Sequence, residues 1–579
     1  MSSDATIISP GALVGAGPAS ALRVRRRSRA GVAIAAASLL VIVGISLLVV
    51  VLAANRPSFL VPATHDGFFP RWLAGPLGGL WPSFTTGSNA LKYIFTFGIV
   101  VMYAAYVLAL SHVRQLRARW VIAAVVAAHI VMVLSPPLSL TDIFNYVNYG
   151  RMEIVHHLNP YATVPYYEPH GDPSFDLSNW HHLLSPYGPL FTVFTFALVP
   201  LGVAASFWVL KVVLMLASLG TIALVWSCAR LLGRDPRTAI VFVGLNPLVL
   251  IWGLGGDHND FLMMLLIVGA FYLLLKARAL NAPAAARVAP AAAGPSGPSG
   301  LLTGVGLRGR GTRLLRGRRP GVGALATIGN AAPSAGAGGN GARAWPFAGR
   351  RARPRGNGLL GLVWPLAPLD VAAGTLLVTA VAIKASAAIL LPVVLMALLK
   401  RPRDLVQVLI GVVGAGIVLA VVTYVAFGLH IPDLSTQARL VTPVSVPNLL
   451  GLAVGQGGET QAVRAVMTAL LVVGVLASAW WASRHRELGA DALVTGAGWA
   501  SVVLVLTLSW VLPWYVLWML PLAILSHSRA LRTTVLVLGA YLIFAWMPLQ
   551  ADLFRAIHFK PLGTSLGQLD QRETKQLLH

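Results

Sequence analysis

The sequence predicts an all-α polytopic membrane protein, and three observations predict it. Of 579 residues, 56% are hydrophobic and only 11% are charged, against about 25% charged in soluble domains. Mean hydropathy is +0.74. Long apolar runs recur from residue 31 to residue 547, separated by short polar or basic turns. The net charge of +25 could suggest a nucleic-acid binder. No nucleic-acid motif accompanies it, and most of the excess lies in helix flanks and one basic loop, as membrane topology requires. The single cysteine, Cys228, excludes an internal disulfide and a cysteine metal cluster.

Each element follows in order. Residues 1–30 end in RVRRRSR and read as a disordered, basic cytoplasmic tail. The run 31–54 is too long for a signal-peptide core and reads as a retained first span. Spans near 91–111 and 120–134 flank the basic turn RQLRAR, which belongs inside. The segment 138–188 then falls outside. Only one crossing fits between residue 189 and the basic stretch 228–237, so 189–203 is expected to be tilted, broken or re-entrant before a full span at 205–232. Residues 239–254 return outward to the turn GGDHND, and 261–275 go back in. Residues 276–368 hold 13 arginines and no acidic residue, with heavy Gly, Ala and Pro, and read as a disordered cytoplasmic loop. Anionic lipid headgroups are its natural contact.

The apolar stretch 370–399 is interrupted by Lys384 and followed by the basic KRPR, so two short helices are expected to meet near Lys384 on the outer side. Spans at 405–427, 462–481 and 492–508 follow. Two more end near 522–525 and 547, and a polar tail covers 549–579. The count is about a dozen crossings in two transmembrane parts, 31–275 and 369–548.

This topology, counted from Lys and Arg alone, gathers the polar turns on one face. The segment 138–188 carries five carboxylates and five histidines in an otherwise apolar chain. Asp142 follows an apolar span and a Pro-Pro break, where partial desolvation would strengthen it as a proton acceptor toward a sugar hydroxyl. Its sequence context, SLTDIF, equally suits a helix cap. Asp257, His258, Asn259 and Asp260 could bind hydroxyls, or cap the next span. Lys384 could hold a lipid phosphate, or snorkel to the interface; Arg439 and Arg151 are further phosphate candidates. Tyr146, Tyr149, Tyr187, Trp180, Trp510 and Trp514 could form a sugar-stacking surface. Asn448 lies in another outer turn. The histidine pairs lack metal-ligand spacing, so no metal site is assigned, although a divalent cation has donors available outside.

These residues carry a resemblance. DIFNYVNYGRM, LNPY and SPYGPL resemble GT-C-type integral-membrane glycosyltransferases. GGDHNDFLMMLLIVGA, VAIKASAAILLPVV, RLVTPVSVPNLLG and LPWYVLWMLPLA extend the likeness to actinobacterial polyprenol-phosphomannose-dependent α-1,6-mannosyltransferases of the lipomannan type. The resemblance covers roughly 90–275 and 370–525; the basic insertion departs from it. It implies a GT-C-like fold in the cell membrane with extracytoplasmic catalytic loops. It also implies inverting transfer of mannose from polyprenyl-phosphate-mannose to a glycolipid or α-mannan acceptor. Asp142 would be the base, Lys384 would hold the donor phosphate, and the 257–260 turn would orient the acceptor. Another polyprenyl-linked sugar, or a lipid-sugar flippase, is the alternative.

Overall fold

The computed structural model describes residues 28–55, 58–64, 67–80, 88–281, 363, 365–485 and 488–578. The basic tail 1–30 and the segment 276–368 fall almost wholly outside them; where they are described, the helix expected to stop at 275 continues to Asn281.

Among the described residues the chain is helical throughout and contains no strand. The N-terminal helices are α1 (Arg29–Ala54), α2 (Ser88–His112), α3 (Ala118–Val133), α4 (Asp142–His156), α5 (Pro189–Phe196), α6 (Gly202–Leu231), α7 (Pro236–Gly244) and α8 (Asp260–Asn281). The C-terminal helices are α9 (Pro368–Ile383), α10 (Leu390–Leu398), α11 (Pro402–Phe427), α12 (Val446–Ala453), α13 (Gln461–Arg484), α14 (Ala490–Thr507), α15 (Leu520–Leu525), α16 (Arg529–Trp546), α17 (Leu549–Ala556) and α18 (Ser565–Leu578). Eight helices are long and apolar enough to cross a bilayer, or nine if the bent pair 236–254 is one span. The protein is therefore a multi-pass membrane protein. The expected dozen is reached only by counting shorter apolar stretches, such as Ala118–Val133 and Pro513–Leu525. The last of these is a 3₁₀ turn, Pro513–Trp518, plus a six-residue helix rather than a full span.

Helix ends follow local chemistry. Asp235 caps α7 by accepting from the Arg237 and Thr238 N–H groups, with Pro236 at the first helical position. Ser445, Thr460 and Ser528 cap α12, α13 and α16 in the same way.

Three helical segments are broken. The 189–203 segment is α5, then a 3₁₀ turn at Val199–Leu201, then α6. After α7, Asn246 and Pro247 interrupt the helix, and a π-helix, Leu248–Leu254, continues at 45°. The third break is Lys384, which is extended (φ −155°, ψ 125°) between α9 and α10, where two helices were expected to meet. The basic turns meet elsewhere: Arg237 donates to the Leu116 carbonyl (2.9 Å) and Arg114 to the Thr238 hydroxyl (3.3 Å). Arg234 pairs with Asp491 at 2.6 Å.

Beyond α16 the expected polar tail is folded. Helices α17 and α18 turn back, and the Asn448 amide donates to the Pro561 carbonyl at 3.2 Å.

Helices α9 and α11 cross closely. A Cβ on Gly374 would lie 2.0 Å from the Val408 carbonyl oxygen, and one on Gly411 would lie 1.9 Å from that of Val371. Neither backbone atom can yield without separating the helices. Gly411→Val should therefore lower the thermal midpoint in detergent by several degrees, read by intrinsic fluorescence, whereas the same change at Gly414, which faces open space, should not.

Candidate active site

Backbone hydrogen bonds between distant segments bring the polar turns together. The Leu138 N–H donates to the Gly255 carbonyl (2.7 Å), tying the approach to α4 against the 255–259 turn. The Gly188 N–H donates to the Ile383 carbonyl (3.0 Å). A Cβ on Gly188 would lie 2.2 Å from the Ala382 oxygen, so only glycine sets the SPYGP segment this close to Lys384. The Thr442 N–H donates to the Ser509 carbonyl (2.9 Å), joining the 439–451 segment to the tryptophan-rich turn.

Asp142 is the first residue of α4. Thr141, not Asp142, takes the cap position, and it makes no side-chain cap bond. The Asp142 carboxylate sits in the first turn of the helix. It lines a cavity of about 60 Å³ with Tyr187, Lys384, Trp510 and Trp514. His258 is buried beside it, with its ring stacked on Trp514 (centroids 3.4 Å apart, planes 10° apart). His258 Nδ1 lies 3.2 Å from Asp142 Oδ2, a close approach without hydrogen-bond geometry, and neither ring nitrogen has a hydrogen-bond partner.

Lys384 Nζ contacts both Asp260 oxygens at 3.0 and 2.9 Å, and Trp518 Nε1 donates to Asp260 Oδ1 at 2.6 Å. The ammonium also lies 5.4 Å and 5.6 Å from the ring centroids of Tyr515 and Trp518. One-fifth of its side chain stays exposed. Lys384 also lines a groove of about 450 Å³ that shares Pro186, Gln437, Trp510 and Tyr515 with the cavity. Arg464 lines this groove, with Met467, Leu471 and Leu504 along the apolar wall.

Several expected site residues lie elsewhere. Arg151 does not reach the cavity; its guanidinium forks onto Asp172 at 2.8–3.0 Å, which His156 also contacts. Burial would raise the Asp172 carboxyl, but the Arg151, Ser174 and His156 contacts outweigh it and hold the group well below the usual carboxylate range. Arg439 is exposed, and its carbonyl accepts from Arg464 at 2.9 Å. Asn448 is buried and spends its amide on the Pro443 and Pro561 carbonyls. Asp257 is buried against Lys211, whose Nζ contacts both carboxylate oxygens at 2.9 Å. Tyr149 is buried and donates to the Leu183 carbonyl. Tyr146 is buried behind Tyr187 and accepts from the Asn259 N–H at 3.3 Å. The Asn259 side-chain amide is buried with both polar atoms unpartnered.

Sequence reasoning did not single out Lys211, Arg464 or Trp518, whereas Trp180 belongs with the sugar-stacking aromatics it expects and does line the cavity. Lys211 carried a legible signal, a lone lysine in the apolar run FWVLKVVLML, the same signal that singled out Lys384. Arg464 looked like an ordinary helix-flanking charge. No group of three or more His, Cys, Asp or Glu side chains that could hold a metal occurs among the described residues.

Comparison with known proteins adds the family. Residues 58–303 match the α-(1→6)-mannopyranosyltransferase N-terminal domain, and residues 442–563 match the MptB C-terminal domain. The chain belongs to the α-(1→6)-mannopyranosyltransferase family. α-(1→6)-Mannopyranosyltransferase A of Mycobacterium tuberculosis is 32% identical over 157 residues, which is 25% of this chain and 29% of that protein. The match thus spans less than a third of that relative's length. No solved structure matches. Both family matches lie in the GT-C-type chain expected from the motifs, and Asp142, the 257–260 turn and Trp514 all fall within them.

The polar loop offers a pH readout. Burial raises the Glu168 carboxyl from its ordinary value near 4.5 to about 8, against the bond from Asn148. A carboxyl raised in the fold binds its proton more tightly folded than unfolded. Its contribution to stability is complete below about 4.5 and is lost as pH rises toward 8. The thermal midpoint of the protein should therefore fall across this window, and Glu168→Gln should flatten that slope; equal slopes in the two proteins would contradict the assignment.

Proposed function

We propose that this protein is an inverting glycosyltransferase that moves mannose from polyprenyl-phosphate-mannose to an α-mannoside acceptor, with Asp142 as general base. The observation that carries the reading is the junction of the two spaces. A small cavity at Asp142 adjoins a larger, mostly apolar groove, and Lys384 lines both. A lipid-linked sugar has this shape. Its isoprenoid chain suits the wall of Met467, Leu471 and Leu504, its phosphate suits Lys384 and Arg464, and its sugar then projects toward Asp142 and the tryptophans.

The chemistry follows from the charges. An acceptor hydroxyl oxygen attacks the anomeric carbon while the bond from that carbon to the phosphate oxygen breaks. The electron pair leaves with the polyprenyl phosphate, and Asp142 takes the hydroxyl proton. Lys384 and Arg464 stabilise the charge growing on the phosphate. His258, stacked on Trp514, packs beside the Asp142 carboxylate. The unpartnered Asn259 amide is a candidate for sugar hydroxyls. The basic turns lie at helix ends away from Asp142, which supports an extracytoplasmic active site by the positive-inside rule. The protein's partners would then be the donor, a glycolipid or mannan acceptor and membrane lipid. No step requires a metal, and a divalent cation is left to direct titration.

Asp142→Asn should lower transfer from polyprenyl-phosphate-mannose to a short α-1,6-mannoside by about 10²-fold or more, with donor binding retained. Near-normal turnover would remove Asp142 from the role of base. A donor panel with arabinose or glucose in place of mannose tests the sugar, and absence of prenyl phosphate release would favour a flippase. Arg464 Nε donates to Glu459 Oε1 at 3.1 Å, so Arg464→Gln keeps a hydrogen-bonding group there but loses the charge. It should raise the donor KM about tenfold while leaving acceptor KM unchanged.

A further inference from the structure

The Asp142 cavity is too small for a sugar in this structure. Its volume is about 60 Å³, whereas sites for small organic ligands run from about 300 Å³ upward. The adjoining groove meets that range; the cavity where an acceptor must meet Asp142 does not. Something has to move to admit a sugar.

The end of α18 packs behind one part of the cavity's wall. Trp180, Leu183 and Leu440 line the cavity and form a small cluster of their own, onto which Trp510, Leu577 and Leu578 pack. The His182 N–H donates to the Leu577 carbonyl at 3.2 Å. Trp180, Leu183 and Leu440 belong to the cavity and not to the lipid-type groove, so this lid lies over the acceptor side.

The two ends of α18 are held differently. At its start, the Thr564 hydroxyl donates to the Gly457 carbonyl and caps the helix by accepting from the Gly567 N–H. Gly567 packs directly on Leu562. Among the described residues, its far end packs through Leu577 and Leu578 and accepts a backbone bond from His182. Between them, Asp570 is buried with one carboxylate oxygen unpartnered, and it interacts with Arg464 and Glu459. Gln568, Leu569, Gln571, Arg572, Lys575 and Gln576 are exposed, so most of the helix surface already faces solvent. The family match ends at residue 563, one residue before the capping threonine. The lid is therefore outside the region by which the chain belongs to its family.

We propose that α18 is a gate over the acceptor side of the catalytic cavity, hinged at 561–564, and that Leu577 and Leu578 determine how large a mannoside enters. The inference rests on the glycosyltransferase reading for its substrate, but not for its motion.

A reversible lock tests it. His182→Cys and Leu577→Cys would sit within disulfide reach, given the 3.2 Å backbone contact; Cys228→Ala removes the buried free thiol. In the full-length protein in detergent, oxidation should cut transfer from polyprenyl-phosphate-mannose to an α-1,6-mannoside by tenfold or more. Reductant should restore it, and stabilisation by polyprenyl phosphate should persist in both states. Equal transfer by the oxidised protein, with the cross-link verified by mass, overturns the gate. In a second variant, Leu577→Ser with Leu578→Ser, acceptor preference should shift toward longer mannosides; an unchanged length profile overturns the specificity role. Hydrogen exchange reads the gate without turnover. Residues 570–578 should exchange much faster than α14, and equal protection sinks the proposal. Absence of transfer in the unlocked protein, with fast exchange at 570–578, would instead reject the enzyme reading and keep the hinge.

Discussion

The ion pair between Lys384 and Asp260 is the contact on which the site depends. It joins α8 to the break between α9 and α10, and Trp518 adds a third segment through its indole N–H. In a hydrocarbon surrounding, a lone ammonium or carboxylate is costly, so each needs the other. Removing one would leave a largely buried charge uncompensated, a loss of about 3–5 kcal/mol for such pairs. The exposed fifth of the lysine is the part left over for a ligand.

A second buried pair, Lys211 with Asp257, does the corresponding work one layer deeper. Asp257 sits at positive φ (58°) in the turn after the π-helix. That is an unfavourable backbone for a non-glycine residue, and the contact with Lys211 holds it. The turn so fixed presents His258 to Asp142 and Trp514. The two aspartates of GGDHND thus serve different ends: one anchors the turn, and the other carries Lys384 to the mouth of the groove.

Helix breaks supply the room. An intact α-helix has no free backbone groups and fills its cylinder; a site at the end of a helical bundle needs places where helices stop short. Here they stop at the 197–201 junction, at Asn246–Pro247 and at Lys384. Each break is visible as a proline, glycine or charge in an apolar run. The broken segment at 189–203 and the paired short helices around Lys384 were legible in the sequence because the basic turns on either side allow only so many crossings between them. The total number of crossings was not, because a 16-residue apolar stretch such as Ala118–Val133 reads alike as a short span or a buried helix.

The amino-acid sequence by itself determined the class of the protein, the order of its apolar segments, and the turns that carry its polar groups. It could do so because hydropathy and charge act locally: twenty apolar residues demand a bilayer whatever lies elsewhere. The order of the motifs also carried the resemblance to the family. Only the tertiary structure decided which polar residues face the cavity. Arg151, Asn448 and Asp257 looked as functional as Asp142 and Lys384, yet their partners are Asp172, two proline carbonyls and Lys211, and Arg439 is exposed. Those partners lie between 5 and 113 residues away along the chain. The folding of residues 549–578 back over the site was equally hidden. A short amphipathic helix shows in its sequence that it has an apolar side, but not which surface that side will cover.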